Sequence, residues 1–365
     1  VRVGIDGRSL AGPQDRGVTH VTRSVVAALA AAFPDDRLDV LVPGRGPWTP
    51  PAALDRANVR IVRHALPSRV LFGAAALAGR PRLDRLLGDI DVLWIPAPAP
   101  LAASHGVPLV LSVHDLSWMH RPQDFTAYER LWHALARPRR LAARASAVAA
   151  VSQATADELE RHWRISPARV TVVPNGVDLP PLDPAAAPPG LPERYLLFVG
   201  ALEPRKAPEL LVEAFGRARA HGLEAELVLV GGGRLAPRLR APGVRLLGEV
   251  QRAALTALYA GALALVMPSW IEGFGLPPAE ALRAGTPAIV SDLPVYAATL
   301  GEGALRVAPG DPDALADAMV RVAGDADLRS RLAAAGAEAV GSLTWERTAR
   351  ELRAVLAAAA RGSSA

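Results

Sequence analysis

Cysteine does not occur in this chain of 365 residues, which excludes a disulfide framework and any thiolate-held metal. Long apolar runs are also missing. Half of the residues are apolar, yet no uninterrupted stretch reaches the ~18 residues of a membrane span. The opening Val1-Arg2-Val3-Gly4-Ile5-Asp6-Gly7 lacks the longer apolar segment and cleavage site of a signal peptide and reads as a buried first strand. A cytoplasmic setting is the expectation. Lysine is almost absent: of 41 basic residues only Lys206 is a lysine. A compact ammonium retained where arginine is used everywhere else suggests a site that needs a point charge rather than a planar fork.

The charge that is present is unevenly shared. Residues 1–180 hold 22 arginines against 16 acids, whereas the remainder holds 19 basic residues against 20 acids. Arg69, Arg80, Arg82, Arg85, Arg137, Arg139, Arg140 and Arg144 carry much of the first-half excess. Such a surface suits an anionic acceptor or peripheral contact with an anionic inner membrane face; solvated helix arginines are the plainer reading. Nucleic acid is not expected as a partner, because the basic stretches lack interleaved aromatics and no nucleic-acid motif appears.

Short apolar strands alternate with helical stretches in two runs. The first run comprises strands at Val1–Ile5, Leu38–Val42, Val59–Arg63, Val92–Ile95, Leu109–Val113, Ala147–Val151 and Val170–Val173, with helices at Val21–Ala32, Arg130–Arg144 and Ala154–Arg161. The proline-rich stretch from Leu179 to Pro192 reads as an extended linker and hinge. The second run resumes at Tyr195–Val199, Glu226–Val230, Val244–Leu247, Ala264–Met267 and Ala288–Val290. Strand–helix alternation of this kind predicts parallel sheets with helices on both faces. The fold class is therefore α/β with two doubly wound, Rossmann-like domains, spanning 1–180 and 193–342. Residues 343–360 are expected to cross back to the first domain as a helix from Trp345 to Ala359, ahead of a ragged tail at Arg361–Ala365. Ligand sites belong at strand C-termini, in a cleft between facing domains.

Lys206 closes the segment Val199-Gly200-Ala201-Leu202-Glu203-Pro204-Arg205-Lys206, and Glu272 and Glu280 bracket Gly273-Phe274-Gly275-Leu276. Pro277 and Pro278 sit where prolines open helices, and Gly285 where a helix stops. Gly275 and Leu276 thus precede a helix N-terminus, whose free amides and dipole suit a diphosphate. Arg205 and Lys206 would neutralise that group and stabilise it as it leaves. Taken alone, Glu280 reads as an ordinary acid complementing a helix dipole.

Together with Val113-His114-Asp115-Leu116, Val151-Ser152-Gln153-Ala154-Thr155 and Val173-Pro174-Asn175-Gly176-Val177-Asp178, these segments resemble the retaining GT-B glycosyltransferases of family 4, over nearly the whole chain. The resemblance implies a sugar moved from a nucleoside-diphosphate donor to a saccharide, lipid-linked or small-molecule acceptor; no histidine–acid cluster has metal-ligand spacing, so no metal or other cofactor is expected. It implies donor contacts at Gly17, Gly200, Arg205, Lys206, Gly273, Phe274, Gly275, Leu276 and Glu280, with Glu280 on the ribose and Glu272 on the transferred sugar. His114 would contact that sugar from the first domain. Arg205, Lys206, His114 and Glu272 are the candidate catalytic groups. GDP-mannose is the first donor expected, then UDP-sugars, as in mannosyltransferase-like branches making polysaccharides. The sequence departs from the pattern after Arg16-Gly17-Val18, with Thr19 and His20 where glycine and arginine are typical, and at Ile271, where tyrosine is common.

Other signals compete. Gly231-Gly232-Gly233 follows a strand but lacks G-x-G-x-x-G spacing and reads as a tight turn lining the base pocket, near Arg234. Asp89-Ile90-Asp91, Asp311-Pro312-Asp313 and Asp325-Ala326-Asp327 mimic a metal-binding D-x-D yet fall at caps and turns or ahead of a strand. A nucleotide-sugar epimerase of the same fold, which needs no acceptor, and a catalytically silent binding partner remain the alternative readings. Intact Arg205, Lys206, Glu272 and Glu280 argue against the silent one.

Overall fold

The computed structural model describes residues 1–12 and 17–362. Arg16, in the expected glycine-rich turn, lies outside the described residues; of the tail expected at Arg361–Ala365, Arg361 and Gly362 instead close the last helix and 363–365 lie outside the described residues. The chain divides into two compact units, the first made of Val1–Gly176 with the segment from Trp345 onward, the second of Val177–Thr344.

The first unit is built on seven parallel strands: β1 (Arg2–Asp6), β2 (Arg37–Pro43), β3 (Val59–His64), β4 (Val92–Ile95), β5 (Leu109–Val113), β6 (Ala147–Ala150) and β7 (Val170–Val172). Their order is β3-β2-β1-β4-β5-β6-β7. The second unit has six: β8 (Tyr195–Val199), β9 (Glu226–Val230), β10 (Val244–Gly248), β11 (Ala264–Met267), β12 (Ala288–Ser291) and β13 (Ala304–Val307), ordered β10-β9-β8-β11-β12-β13. Central strands are continuous runs of Val, Leu and Ile because helices cover both faces; β4 and β11 are buried along their whole length. In each sheet the order reverses beside the first strand, between β1 and β4 and between β8 and β11. Loops leaving such neighbours diverge to opposite faces and open a crevice at the strand C-termini.

Three local readings change. β13 is an edge strand that the sequence conceals: Ala304-Leu305-Arg306-Val307 is short, half polar and preceded by Gly301-Glu302-Gly303. The helix expected over Arg130–Arg144 is two helices, Ala127–Ala136 and Pro138–Arg144, hinged at Arg137 in the left-handed region with φ 45°. Pro138 has no N–H to give and its ring would clash one turn back, so the helix must restart there. Thr126 and Glu129 form a reciprocal capping box that starts the first of them. The helix after Ser152 likewise begins at Gln153, with the serine hydroxyl accepting from Thr155 N at 3.2 Å.

The proline-rich stretch is extended, with one short turn at Pro184–Ala186, but it is docked. Leu179 and Leu191 pack against the second unit's core around Tyr195, Leu197 and Tyr259, and Thr256 Oγ1 donates to the Pro180 carbonyl at 2.9 Å. It is part of the second unit and not a free linker, because its leucines have apolar surface to cover.

The last helix, Trp345–Gly362, packs on the helix Val18–Ala32 and on β4, β5 and β6. Its anchor is close: a Cβ at Gly176 would lie 2.3 Å from the Trp345 amide nitrogen. Gly176→Ala should therefore destabilise the first unit by about 1–3 kcal/mol through overpacking. Gly216→Ala, inside the helix Pro208–Ala220 with nothing within 4 Å of the added carbon, should stabilise by roughly 0.5–1 kcal/mol. Urea unfolding of the two variants should move in opposite directions; parallel shifts would refute the packing argument.

Candidate active site

In the second unit, the loops after β8 and β9 meet backbone to backbone. A Cβ at Gly231 would stand 2.0 Å from the Gly200 carbonyl oxygen, and one at Gly233 2.4 Å from that of Leu202. Only glycine permits this approach. The three-glycine segment is thus a packing turn, and Arg234 beside it pairs with Glu203, Nε to Oε2 at 2.8 Å.

The loop after β8 then makes a single turn over Pro204–Lys206. Its partner across the strand-order reversal is the loop after β11: Trp270 N donates to the Arg205 carbonyl at 3.0 Å, and Lys206 Nζ is ion-paired with Glu272 Oε1. Both side chains are at most a tenth exposed. Glu272 Oε1 also accepts from Ser269 Oγ at 2.8 Å, and Ser269 is completely buried. The Arg205 guanidinium, by contrast, is half-buried and has no acid or carbonyl partner among the described residues. It is a cation left available for an anion.

Gly273 and Phe274 are buried, and Gly275 caps the helix Leu276–Arg283 in the left-handed region with φ 85°. Its missing side chain also matters, because a Cβ there would lie 2.4 Å from the Tyr296 ring. Tyr296 is buried, and its hydroxyl makes no hydrogen bond of normal geometry; burial, with Glu272 nearby, pushes its pKa well above the usual tyrosine value. Prolines at the start of the helix remove N–H groups that would have no intrahelical partner.

Glu280 lies one turn into that helix and is not gathered into the Lys206–Glu272 cluster. It is 5% exposed. Tyr259 Oη donates to its Oε2 at 2.9 Å, and Arg252 Nη1 to its Oε1 at 3.0 Å. Arg252 Nη2 continues to the Asp178 carbonyl at 2.6 Å and to its Oδ1 at 3.0 Å. Burial raises the Glu280 carboxyl above its ordinary range, against the pull of Arg252. The sequence reading missed Tyr259 and Arg252. Their spacing of seven on one helix, Arg252–Gly261, was the available signal, since residues two turns apart share a face.

In the first unit, Gly17 caps the helix Val18–Ala32 with φ 54° and ψ −124°, a conformation open to glycine alone. His114 follows β5. Its Nε2 lies 2.9 Å from the Pro96 carbonyl, just past β4. A carbonyl only accepts, so Nε2 carries the proton. Burial lowers the His114 pKa, which leaves the ring neutral with a lone pair on Nδ1. Thr155 Oγ1 donates to the His114 carbonyl at 3.2 Å. His20, one of the departures, is buried edge-on against Trp345, ring centroids 5.5 Å apart.

The aspartate pairs serve structure. Asp89 and Asp91 hold Arg2, while Asp311 and Asp325 cap helices. Among the described residues no three metal-ligating side chains converge, and no helix is long and apolar enough to cross a membrane.

Residues 16–180 match the family described as Glycosyltransferase Family 4, and residues 193–325 match Glycosyl transferases group 1. The phosphatidyl-myo-inositol mannosyltransferase of Mycobacterium leprae is 30% identical over 351 residues, 90% of this chain and 87% of that protein. This chain belongs to glycosyltransferase family 4. The D-inositol 3-phosphate glycosyltransferase of Nocardiopsis dassonvillei is 30% identical over 288 residues, 71% of this chain and 67% of that protein. A sucrose-phosphate synthase from Thermosynechococcus elongatus shares the fold with a TM-score of 0.73, covering 98% of this chain and 99% of that one at 22% identity. The two Rossmann-like units are those of the GT-B architecture.

The Arg252–Glu280 pair gives a direct test. Arg252→Leu strands a buried carboxylate, which should cost about 3 kcal/mol at neutral pH. Glu280 already titrates above its ordinary value of 4.5 in the folded state, so its protonated form favours the fold. The deficit should shrink as pH falls toward that value and be fully expressed above the folded-state pKa. Urea titrations at several pH values check this; a deficit that grows in acid would refute the arrangement.

Proposed function

We propose that this glycosyltransferase transfers a hexose with retention of configuration from a nucleoside-diphosphate donor, GDP-mannose first, to a saccharide, lipid-linked or small-molecule acceptor. The observation that carries the reading is the buried ammonium of Lys206, in contact with Glu272 across the two loops that border the reversal between β8 and β11. Beside it stand Arg205, which has no acid or carbonyl partner among the described residues, and a helix N-terminus entered through Gly275. Two cationic side chains and free backbone amides suit a diphosphate. The relative named a mannosyltransferase supports mannose.

In this reading the bond from the sugar's anomeric carbon to the diphosphate oxygen breaks, and its electron pair leaves on that oxygen. Arg205 and Lys206 stabilise the charge that develops there. The acceptor hydroxyl bonds to the anomeric carbon from the same face and passes its proton to the departing phosphate. Glu272, already held by Lys206 and Ser269, orients donor hydroxyls and does not attack. Glu280, set by Tyr259 and Arg252, takes the ribose. No metal is required in this scheme.

Transfer from GDP-, UDP-, ADP- and TDP-sugars, each with and without acceptor, tests the reading; turnover without acceptor would favour an epimerase instead. Lys206→Ala should lower kcat by on the order of 100-fold, the effect of removing one preorganised charge, with a smaller change in nucleotide affinity. Lys206→Arg should recover only part of it. Glu280→Ala should act mainly on donor affinity. Wild-type turnover in Lys206→Ala would sink the assignment.

A lipid-linked acceptor has support of its own. The helix Ser68–Ala78 turns Val70 and Leu77 outward, 54% and 78% exposed, and Ala127–Ala136 does the same with Tyr128 and Leu131, 48% and 57% exposed. Arg69 lies 4.8 Å over the Tyr128 ring and joins the two faces. Residues 66–86 and 126–144 hold nine arginines against two acids, so the segments that carry this apolar face are cationic, which suits anionic lipid. Vesicles containing anionic lipid should retain the protein in low salt and release it in high salt, and Leu77→Asp with Leu131→Asp should weaken retention. Equal recovery from neutral vesicles would remove the membrane reading.

A further inference from the structure

The first unit contains a cavity that the transfer scheme leaves unused. Its polar lining is Ser112, His114, Asn175 and Thr348, the last with its hydroxyl given to the Pro174 carbonyl, and its apolar walls include Val21, Val25 and Leu352. Asn175 is 4% exposed, and its side-chain amide has no hydrogen-bond partner among the described residues. Ser112 Oγ accepts from Trp94 Nε1 at 2.9 Å, which leaves the serine's own proton without an acceptor there. His114 contributes the lone pair on Nδ1, because Nε2 is committed to Pro96. The same space is thus faced by a serine donor, a histidine acceptor and an amide that is both. Three polar partners is the usual number for an ordered water.

The amide is also held where it is. Val173 N donates to the Ala150 carbonyl at 2.8 Å, Thr348 Oγ1 donates to the Pro174 carbonyl at 2.7 Å, and Gly176 is pressed against Trp345. The backbone on either side of Asn175 is therefore fixed, and the residue itself is 4% exposed. The space free for a water-sized molecule is 20 Å³, against the ~10–15 Å³ one water needs. That admits a water.

We propose that Asn175 and Ser112 hold an ordered water that donates to His114 Nδ1 and fixes the ring, making Asn175 a positioning residue for His114. The partner on one ring nitrogen sets the tautomer and orientation of the other. Through this bridge the Pro174-Asn175-Gly176 segment, which the last helix clamps, governs the histidine at the end of β5. The consequence for turnover rests on His114 serving the transfer reaction; the water bridge itself does not.

The test uses full-length protein labelled with ¹⁵N at histidine, with His114 assigned by comparison with His114→Asn. In the wild type, the Asn175 side-chain protons should show a contact to a long-lived water. In Asn175→Leu, the Nδ1 resonance of His114 should move downfield toward that of an unbonded lone pair. Turnover should fall on the order of 10- to 100-fold, as for loss of an orienting partner, while nucleotide affinity stays at the wild-type value. A merely structural role would lower the unfolding midpoint and leave the His114 resonances in place. The proposal is overturned by unmoved His114 resonances or by no long-lived water beside Asn175 in the wild type; unchanged turnover in a folded variant whose His114 resonances have moved would overturn the link from the bridge to transfer. The wild-type water measurement decides the matter even if Asn175→Leu does not fold. A wild-type protein that transfers no sugar would count against the transfer reading alone, since the resonances and the water contact would still report on the bridge.

Discussion

The all-parallel order of each sheet is the constraint from which the rest follows. Parallel neighbours need crossover connections of one hand, so the chain can grow outward from the first strand in one direction and must then return to grow in the other. The return places β11 beside β8 and β4 beside β1, and the loops leaving these pairs have to part. In the second unit this brings residues 66 positions apart in sequence, Lys206 and Glu272, into contact.

A buried ion pair at such a place is poor evidence for stability. Desolvating an ammonium and a carboxylate costs several kcal/mol per ion, and their attraction repays that only when other hydrogen bonds complete the shell. Ser269 supplies one such bond to Glu272. Among the described residues, Arg205, one residue from Lys206, is left without an acid or carbonyl partner. That contrast fits a site arranged for an anion rather than a pair kept for the fold. Glu280 belongs to a different network, in which burial and Arg252 act on it in opposite senses. The two glutamates of one loop therefore have different electrostatic surroundings, and a single role for both would not be expected.

Much of this was legible from the residues. Runs such as Tyr195–Val199 and Ala264–Met267 are short, apolar and followed by turn residues, and they fold as the strands they suggest. Glycine before a pair of prolines announced the helix N-terminus at Leu276. Legibility failed where an element is marginal by itself. β13 has too little apolar character to be seen without β12 beside it. The division at Pro138 was in principle readable, but the apolar period runs straight through it. The stretch 179–192 looked free because proline and alanine dominate it, while its two docked leucines are a signal only once the surface they cover is known.

The sequence by itself determined the two α/β units, the positions of every strand but β13 and the residue types gathered near the glycine loop, because these depend on local period, turn chemistry and spacing. Only the tertiary structure decided the partners. Lys206 is bonded to Glu272, Glu280 to Tyr259 and Arg252, His114 to Pro96, and Asn175 faces the cavity beneath His114. Each of these pairs joins residues distant in the chain or on different elements. Their meeting is fixed by strand order and helix packing, and hydrogen bonds in a dry interior then hold it.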